Sequence, residues 1–271
     1  LPGLDSMHAL QVATVHDAAG VANGVVTDRR PLRQPHHTIT QQALVGGGSS
    51  RPVIGEVSLA HHGVLFLDEL AEFRPTVLDA LRQPLEERVV RIRRARWMVE
   101  YPAAFQLVAA MNLCRCGRFG AREGTPCSCS PSSVEAYRQR VSGALIDRFD
   151  IRVRMDAPAA ALHTLPHAPA TQSVRADVER VRQGQFERWG EGILNGHVAH
   201  ALERFDCSAD GSDRLQQLTE HGMLSARAQR SLVRVARTIA DMRGAEQMDA
   251  PDVTRARMLM GTAIGGADDG A

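Results

Sequence analysis

The hydrophobic pattern of the chain predicts parallel strands in its first half. Residues 64–67 (VLFL) are four large apolar residues in a row, and two carboxylates follow them at once. Such a run is typical of a strand buried on both faces of a parallel sheet, whereas a half-exposed strand alternates polar and apolar residues. A second, nearly unbroken apolar run at residues 105–111 predicts another buried strand. The first half is therefore predicted to be an α/β domain.

Apolar residues at helical spacing predict helices around these strands. Two of them lie at residues 6–17 and 74–83, and Pro84 is expected to end the second one. A further helix is predicted to begin near Ser132, because Ser132 and Glu135 form a capping-box pattern.

The second half of the chain is predicted to be helical. In its longest predicted helix Ser225 is a good N-cap and Gly244 a natural stop. Helical spacing gives this helix a buried face of Ala228, Leu232, Val235, Ile239 and Met242. We predict domains at residues 1–157 and 173–271, joined by a linker at 158–172 in which Ala, Pro and His dominate.

A basic hairpin is predicted between the two buried strands. Residues 89–92 and 97–100 are short β-rich runs, and the segment between them is rich in arginine. Arginine pairs with phosphate and stacks on bases, so this tip is a candidate nucleic-acid contact. The alternative is a solvated charge cluster. The candidate residues are Arg93, Arg94 and Arg96.

Composition limits how this chain could handle a nucleotide. Its 271 residues are 44% hydrophobic, enough for one large domain or two smaller ones. No apolar run approaches a membrane span and no signal-peptide pattern opens the chain, so we expect a cytoplasmic protein. The formal charge is +1, and all 32 basic side chains are arginine. Without lysine the chain holds no P-loop motif. Either it binds no nucleotide in the P-loop manner or, as the first residue Leu1 favours, it is a fragment.

Two carboxylates follow the first buried strand, Asp68 and Glu69. In open α/β sheets ligands bind beyond the carboxyl ends of the strands, so both would project into a site. This is the Walker B arrangement, in which Asp68 would hold Mg²⁺ and Glu69 would orient the attacking water. Asn112 ends the second buried strand, where its amide would bond a water or a γ-phosphate. The alternative is an ordinary buried strand with a solvated acidic end.

A polar segment at residues 30–38 and a glycine run at residues 46–48 both precede the first buried strand. Arg33, His36 and His37 in this segment would contact a phosphate backbone, and the glycine run would allow close approach of a ligand. The alternative is a surface loop.

Cys114, Cys116, Cys127 and Cys129 fall within sixteen residues of a segment rich in Gly, Ser and Pro. In a cytosolic chain such a cluster points to a metal rather than to disulfides. Four thiolates complete a tetrahedral zinc shell, which would stabilise a loop with almost no apolar residues. Because C-x-C is a less usual zinc spacing than C-x-x-C, unligated thiols and labile disulfides stay open. Cys207 stands alone and is expected to be structural.

Two arginines occupy positions that suggest nucleotide chemistry. Arg148 lies in an acidic, apolar segment, where it is either an ion-paired residue or an arginine finger for a neighbour's γ-phosphate. Arg227 falls in the first turn of the predicted long helix, where the helix dipole disfavours a cation. A nearby phosphate would explain that position, although a single exposed arginine often has no special role.

Together these segments resemble the magnesium-chelatase-like ComM/YifB family of AAA+ ATPases, bacterial enzymes associated with DNA branch migration in natural transformation. The resemblance covers nearly the whole chain. It is carried by RPLRQPHHT (30–38), ALVGGG (43–48), GEVSLAHHGVLFLDE (55–69), LRQPLE (81–86), residues 105–112, SGALIDRFD (142–150) and LSARAQRSLVRVARTIAD (224–241).

The resemblance implies a role for each candidate residue. Asp68 and Glu69 would be Walker B, Asn112 sensor one, Arg148 the arginine finger and Arg227 sensor two. The PHHT segment would belong to the helix-two insert and the arginine-rich hairpin to the pore. The family's prolines around the first two cysteines are replaced here by Leu113 and Arg115.

The resemblance also implies what the whole protein does. The family's P-loop and Lon-protease-like domain would precede residue 1, so the isolated chain should bind ATP poorly. We expect an AAA+ module that uses ATP and Mg²⁺, forms a ring, most simply a hexamer, and moves DNA. Two alternatives stay open: a magnesium-chelatase-type motor acting on a protein partner, and a nucleotide-independent zinc-bearing interaction module.

Overall fold

The computed structural model describes residues 1–21, 25–48, 51–94, 97–120, 125–155, 169–198, 201–220 and 224–261, without the side chains of residues 94, 201 and 202. Contacts divide the chain into two compact units. The first unit is Gly3–Arg148, and the second is Phe149–Ala271 with Leu1–Pro2. The predicted linker falls largely outside the described residues, so the predicted domain bounds stay a prediction.

All five strands found among the described residues lie in the first unit. They are β1 (Leu32–Arg33), β2 (Val64–Leu67), β3 (Val89–Arg94), β4 (Trp97–Pro102) and β5 (Gln106–Ala109). Three of them form a parallel sheet in the order β1-β2-β5, with Leu32 opposite Val64 and Leu67 opposite Ala109. β3 and β4 form the predicted antiparallel hairpin. The predicted parallel α/β fold is confirmed.

The central strand β2 is less buried than its sequence predicts. Leu65 and Leu67 are fully buried, whereas Val64 and Phe66 are only partly buried. Successive side chains of a strand point to opposite faces, so one face of β2 lies in the core and the other is half open. On the neighbouring β5, Val108 is exposed. The prediction that β2 is buried on both faces is therefore wrong for the described structure.

Short helices surround this sheet. They are α1 (Ser6–Ala18), α2 (Gln41–Val45), α3 (Glu56–Leu59), α4 (Pro75–Asp79), α5 (Arg82–Glu87), α6 (Pro131–Arg138) and α7 (Gly143–Ile146). The prediction that Pro84 ends a helix is wrong. Pro84 lies in the first turn of α5, where a backbone N–H would have no intrahelical partner in any case. The N-cap of α6 is Ser130, two residues before the predicted one, and its Oγ accepts from the Ser133 N–H at 3.3 Å.

The second unit is helical where it is described. Its helices are α8 (Thr171–Trp189), α9 (Ala201–Arg204), α10 (Ala209–Glu220), α11 (Ala226–Arg243) and α12 (Ala250–Leu259). The caps of α11 are as predicted: the Ser225 Oγ accepts from the Ala228 N–H at 3.2 Å, and Gly244 ends the helix in the left-handed conformation. Within the described ranges no helix has the length and apolar character needed to cross a membrane.

The buried face of α11 includes a polar network that the apolar pattern does not predict. Arg237 is 1% exposed, and its Nε donates to Asp241 Oδ1 at 3.0 Å. Asp241 Oδ2 accepts from Gln185 at 3.1 Å and from Asn195 at 2.8 Å. A buried charge persists only when its hydrogen bonds are satisfied, as these are. Met242, predicted to be buried, is instead 61% exposed.

A stack of histidines lies in the first unit. The rings of His8 and His62 have centroids 4.1 Å apart, and those of His61 and His62 are 3.9 Å apart. His61 is buried, and its Nδ1 accepts from the Ala104 N–H at 3.1 Å. Burial, and to a smaller extent the nearby His8, lowers the pKa of His61 to about 4.

We expect acid to destabilise the first unit through His61. Because its pKa is 6.5 ordinarily and about 4 when folded, the folded state binds fewer protons between these values. Stability is therefore fully present above pH 6.5 and falls as the pH drops toward 4. Urea unfolding at several pH values should show a shallower pH dependence for His61→Gln than for the wild type. His36→Gln, outside the stack, should keep the wild-type slope; an unchanged slope in His61→Gln would contradict this assignment.

Candidate functional site

Asp68 and Glu69 lie directly beyond β2, at the carboxyl edge of the parallel sheet. The end of β2 is tied to the end of β5, because the Leu70 N–H donates to the Ala110 carbonyl at 2.9 Å and the Ala110 N–H donates to Leu67 at 3.0 Å. Both side chains are exposed. They project beyond the sheet, where a ligand can reach them.

The backbone of Glu69 is held in an unusual conformation. Its φ of 52° and ψ of 47° lie in the left-handed region, which is uncommon for a residue other than glycine. The Glu69 N–H donates to Asp68 Oδ1 at 2.9 Å. The next residues, Leu70 and Ala71, are buried and start a short 3₁₀ helix, Leu70–Glu72. The core thus fixes the turn while the Glu69 carboxylate stays in solvent, and strain of this kind clusters at functional sites.

His37 lies against this glutamate. Its Nδ1 is 3.1 Å from Glu69 Oε2. The His37 ring also stacks on His36, with centroids 4.0 Å apart, and meets the buried Phe73 edge-on at 6.3 Å. The sequence suggested that His37 contacts nucleic acid. The structure places it beside Glu69, and its contact with nucleic acid stays a prediction.

The other candidates of the polar segment differ from one another in their contacts. Arg33 makes a bidentate pair with Glu56, with Nε to Oε2 at 2.6 Å and Nη2 to Oε1 at 2.8 Å. The hydrogen bond to Glu56 raises the pKa of Arg33. His36 is exposed, and its Nδ1 lies 2.9 Å from Thr38 Oγ1. Arg33 is therefore held within the fold, whereas His36 faces solvent.

Asn112 is exposed just beyond the end of β5. Its side chain adjoins the cysteine loop, since a Cβ placed on Gly117 would lie 3.8 Å from Asn112 Cγ. Asn112 and Asp68 therefore follow neighbouring strands at the same edge of the sheet.

The two candidate arginines lie in different units. The Arg148 side chain is only 9% exposed; its Nη2 donates to Glu86 Oε1 at 2.6 Å, and its Nη1 contacts the Ala144 carbonyl. Arg227 lies in the first turn of α11, partly buried. The structure shows Arg148 held by a carboxylate of its own chain.

In the β3–β4 hairpin, Arg91 is ion-paired, and further arginines follow toward the tip. Arg91 Nε donates to Glu100 Oε2 at 2.7 Å across the two strands, and Arg91 also pairs with Glu87. Further along, Arg93 is exposed opposite Met98. The side chain of Arg94 and the whole of Arg96 lie outside the described residues.

The four clustered cysteines converge on one point. Their sulfurs all lie within 4.8 Å of one another, and the thiols are free. Cys114 is buried and the other three are partly buried. A backbone hydrogen bond from Arg118, followed by one from the Cys114 thiol, lowers the pKa of Cys116 to about 6. The donor set suits a thiophilic metal such as zinc, which binds thiolates.

Sequence analysis missed the partners of the candidate residues. Glu56 holds Arg33, Glu86 holds Arg148, and Arg138 donates from Nε to the Leu113 carbonyl at 3.2 Å beside the cysteine loop. A usable signal existed for the two glutamates, since both lie in segments that carry the family resemblance. No spacing rule joins them to arginines 23 and 62 residues away.

A parallel sheet with an acidic pair at its carboxyl edge, followed by a helical domain, is the arrangement expected of an AAA+ module. Residues 1–162 match the family model described as magnesium chelatase, subunit ChlI, and residues 168–259 match that of the ChlI C-terminal region. The chain belongs to the magnesium chelatase ChlI family. The resemblance seen in the sequence is confirmed.

Three curated relatives are similar over most of this chain. Competence protein ComM of Haemophilus influenzae is 39% identical over 262 residues, which are 94% of this chain and 50% of the relative. The uncharacterized protein YifB of Escherichia coli is 38% identical over 89% of this chain and 48% of its own length. The uncharacterized protein Rv2897c of Mycobacterium tuberculosis is 37% identical over 90% and 49%. The chain thus spans about half the length of these relatives.

Proposed function

We propose that this chain supplies the Walker B and sensor residues of an ATP-hydrolysing motor that remodels DNA in the cytoplasm. The observation that carries the proposal is the exposed pair Asp68 and Glu69 at the carboxyl edge of the sheet, with Glu69 held in a left-handed turn by the buried residues after it. Family membership supports ATP use. Because the sequence contains no lysine, the P-loop lysine must come from outside these 271 residues.

The chemistry of the edge fits ATP with Mg²⁺. Asp68 offers exposed carboxylate oxygens, the ligands that magnesium prefers, and would hold the ion directly or through water. Magnesium, when bound, neutralises charge on the phosphate oxygens. Glu69 accepts a hydrogen bond from the attacking water and orients it, and the Asn112 amide bonds the water or the γ-phosphate. Arg227 is proposed as the sensor in the helical unit.

Arg148 is proposed as an arginine finger, which implies a ring. A finger acts across a subunit interface, so the active protein would be an oligomer, most simply a hexamer. Arg148 is now paired with Glu86 of its own chain, and its side chain is only 9% exposed. To reach a neighbouring phosphate it must leave this carboxylate.

The proposed DNA contacts are the hairpin and the polar segment. Arg93 lies beyond a hairpin base that Arg91, Glu87 and Glu100 fasten, and the tip segment that follows is rich in arginine. His36 is exposed for a phosphate contact, whereas Arg33 would need to exchange Glu56 for one. One similar protein is named for competence, which supports natural transformation as the process, and branch migration is what the resemblance in sequence implies.

ATP turnover by a protein that joins this chain to a P-loop tests the proposal. We expect forked or four-way-junction DNA to stimulate turnover, and Arg93→Ala to weaken the stimulation and reduce its salt dependence.

The family description favours a second candidate, a chelatase-type motor acting on a protein partner. Turnover that ignores every DNA but rises with a protein partner would establish that candidate instead. No turnover at all would leave the zinc-bearing interaction module.

The cysteine cluster completes the proposed cofactor set. We propose that zinc binds Cys114, Cys116, Cys127 and Cys129, because thiolates are its preferred ligands and the four sulfurs already converge.

We expect His37 to tune hydrolysis through Glu69. Its Nδ1 is 3.1 Å from Glu69 Oε2, so His37→Ala releases the carboxylate and should change the basal kcat several-fold without DNA present. Steady-state turnover at zero DNA measures this. Gln34→Ala, an exposed change in the same segment, is the control and should leave kcat alone. A His37→Ala variant altered only in DNA affinity would instead return His37 to the nucleic-acid surface.

A further inference from the structure

We infer that the metal of the four-cysteine cluster acts as a support for Asn112, so that metal loading sets the rate of hydrolysis at the neighbouring site. The cluster is Cys114, Cys116, Cys127 and Cys129. The inference deepens the proposed function and rests on it: Asn112 must act in hydrolysis. It adds a second role for the cluster, beyond stabilising its own loop.

Three of the four sulfurs lie close to the spacing of a tetrahedral zinc shell. With zinc–sulfur bonds of about 2.3 Å, the edge of a regular tetrahedron is about 3.8 Å. The sulfur of Cys114 is 3.4 Å from that of Cys116 and 3.7 Å from that of Cys127, and Cys116 and Cys127 are 3.5 Å apart. A disulfide would need about 2.05 Å. These sulfurs are therefore spaced to accept one ion, and the Cys129 sulfur lies within 4.8 Å of them.

The described part of the loop contains few large apolar side chains. Among residues 113–120 and 125–130 the large apolar side chains are Leu113 and Phe119. Phe119 packs under Arg138, whose guanidinium carbon is 4.6 Å from the ring centroid, and Arg138 Nε donates to the Leu113 carbonyl. Arg138 thus fastens one side of the loop to α6. The other side of the loop, with Cys127 and Cys129, meets the first side at the sulfurs, where Cys127 Sγ lies 3.5 Å from Cys116 Sγ.

The turn that contains Cys114 and Cys116 lies beside the Asn112 side chain. The Gly117 N–H donates to the Cys114 carbonyl at 3.0 Å, which closes a turn between these two residues. Gly117 has a φ of +76°, and a Cβ on it would lie 3.8 Å from Asn112 Cγ. This turn contains Cys114 and Cys116, and Asn112 is only two residues before it. Releasing the sulfurs frees the turn and hence the amide beside it, and small displacements of a positioning group cost large factors in rate.

Metal content of the chain tests the first half of the inference. The 271-residue chain, purified without chelator, should contain one zinc per chain by elemental analysis. Cys127→Ser should lose at least nine-tenths of that zinc. Cys207→Ser is the matched control, because Cys207 lies in the second unit, and should keep one zinc. A wild-type chain without bound metal after zinc is offered, or a Cys127→Ser chain that keeps its zinc, overturns the inference.

Kinetics of the P-loop-containing protein test the second half. Cys127→Ser should lower kcat about 10- to 100-fold while the Kd for nucleotide stays near its wild-type value. Because the loss acts through Asn112, Cys127→Ser combined with Asn112→Ala should lose no more kcat than the worse single variant. Losses that multiply would show an effect independent of Asn112 and overturn the inference. A wild type that binds zinc but hydrolyses no ATP fails the proposed function instead.

Discussion

Replacing Glu69 by Gln is expected to lower ATP turnover by about 10²- to 10⁴-fold, the usual contribution of a positioned general base. The amide keeps the size of the side chain and its place in the left-handed turn, so the fold should be unchanged. It cannot accept a proton from the attacking water, however. Nucleotide binding should persist, since Asp68 holds the metal in the proposed site. The expected signature is therefore a lost kcat with a nearly unchanged Kd for ATP.

Steady-state turnover and direct nucleotide binding measure the two quantities separately. Glu72→Gln is the matched control, because Glu72 lies three residues on and its Oε2 is 3.7 Å from Arg140 Nη1, whereas Glu69 is exposed beside His37. It should retain turnover close to that of the wild type. If Glu69→Gln hydrolysed ATP as fast as the wild type, the Walker B assignment would be wrong.

The sequence predicted correctly those features of the fold that depend on a residue and its near neighbours, namely two strands and the caps of α11. The two apolar runs are strands β2 and β5 of a parallel sheet, and Ser225 and Gly244 cap α11. These features depend on the side chain and its immediate neighbours, which the sequence displays. The placement of Asp68 at the edge followed from the strand and the rule for open sheets.

The features that sequence analysis missed are long-range pairings. Arg33 pairs with Glu56 and Arg148 with Glu86, and no periodicity links such distant residues. A charged residue identified as a ligand contact from its type alone can therefore be a salt-bridge partner in the fold. His37 is the instructive case, because its contact with Glu69 connects the polar segment to the acidic pair.

Burial was mispredicted where polar side chains occupy the interior. The apolar stripe of α11 placed Met242 inside, whereas the buried face includes Arg237 and Asp241. Hydrophobicity alone assigns such residues to solvent. They are buried here because each finds hydrogen-bond partners on other segments, and only the assembled unit supplies those partners.

Replacing Asp241 by Leu is accordingly expected to destabilise the helical unit by about 3–5 kcal/mol, although leucine is the more apolar residue. The change leaves the buried Arg237 guanidinium without its carboxylate, with only the carbonyls of Ala245 and Glu246 as described acceptors. Gln185 and Asn195 each lose an acceptor as well. An uncompensated buried cation costs more than the added apolar contact returns.

Urea unfolding followed by Trp189 emission in a Trp97→Phe background measures this loss, because the Trp189 Nε1 donates to Asn195 Oδ1 at 2.9 Å within the same network. Met242→Ala, on the exposed side of α11, is the control and should change stability by about 0.5 kcal/mol or less. Adding Arg237→Leu to Asp241→Leu should recover part of the loss, since it removes the more buried of the two arginines, Arg237 and Arg188, that pair with Asp241. If the double variant had a lower free energy of unfolding than Asp241→Leu, the loss in Asp241→Leu would come from poorer packing rather than from the unpaired Arg237.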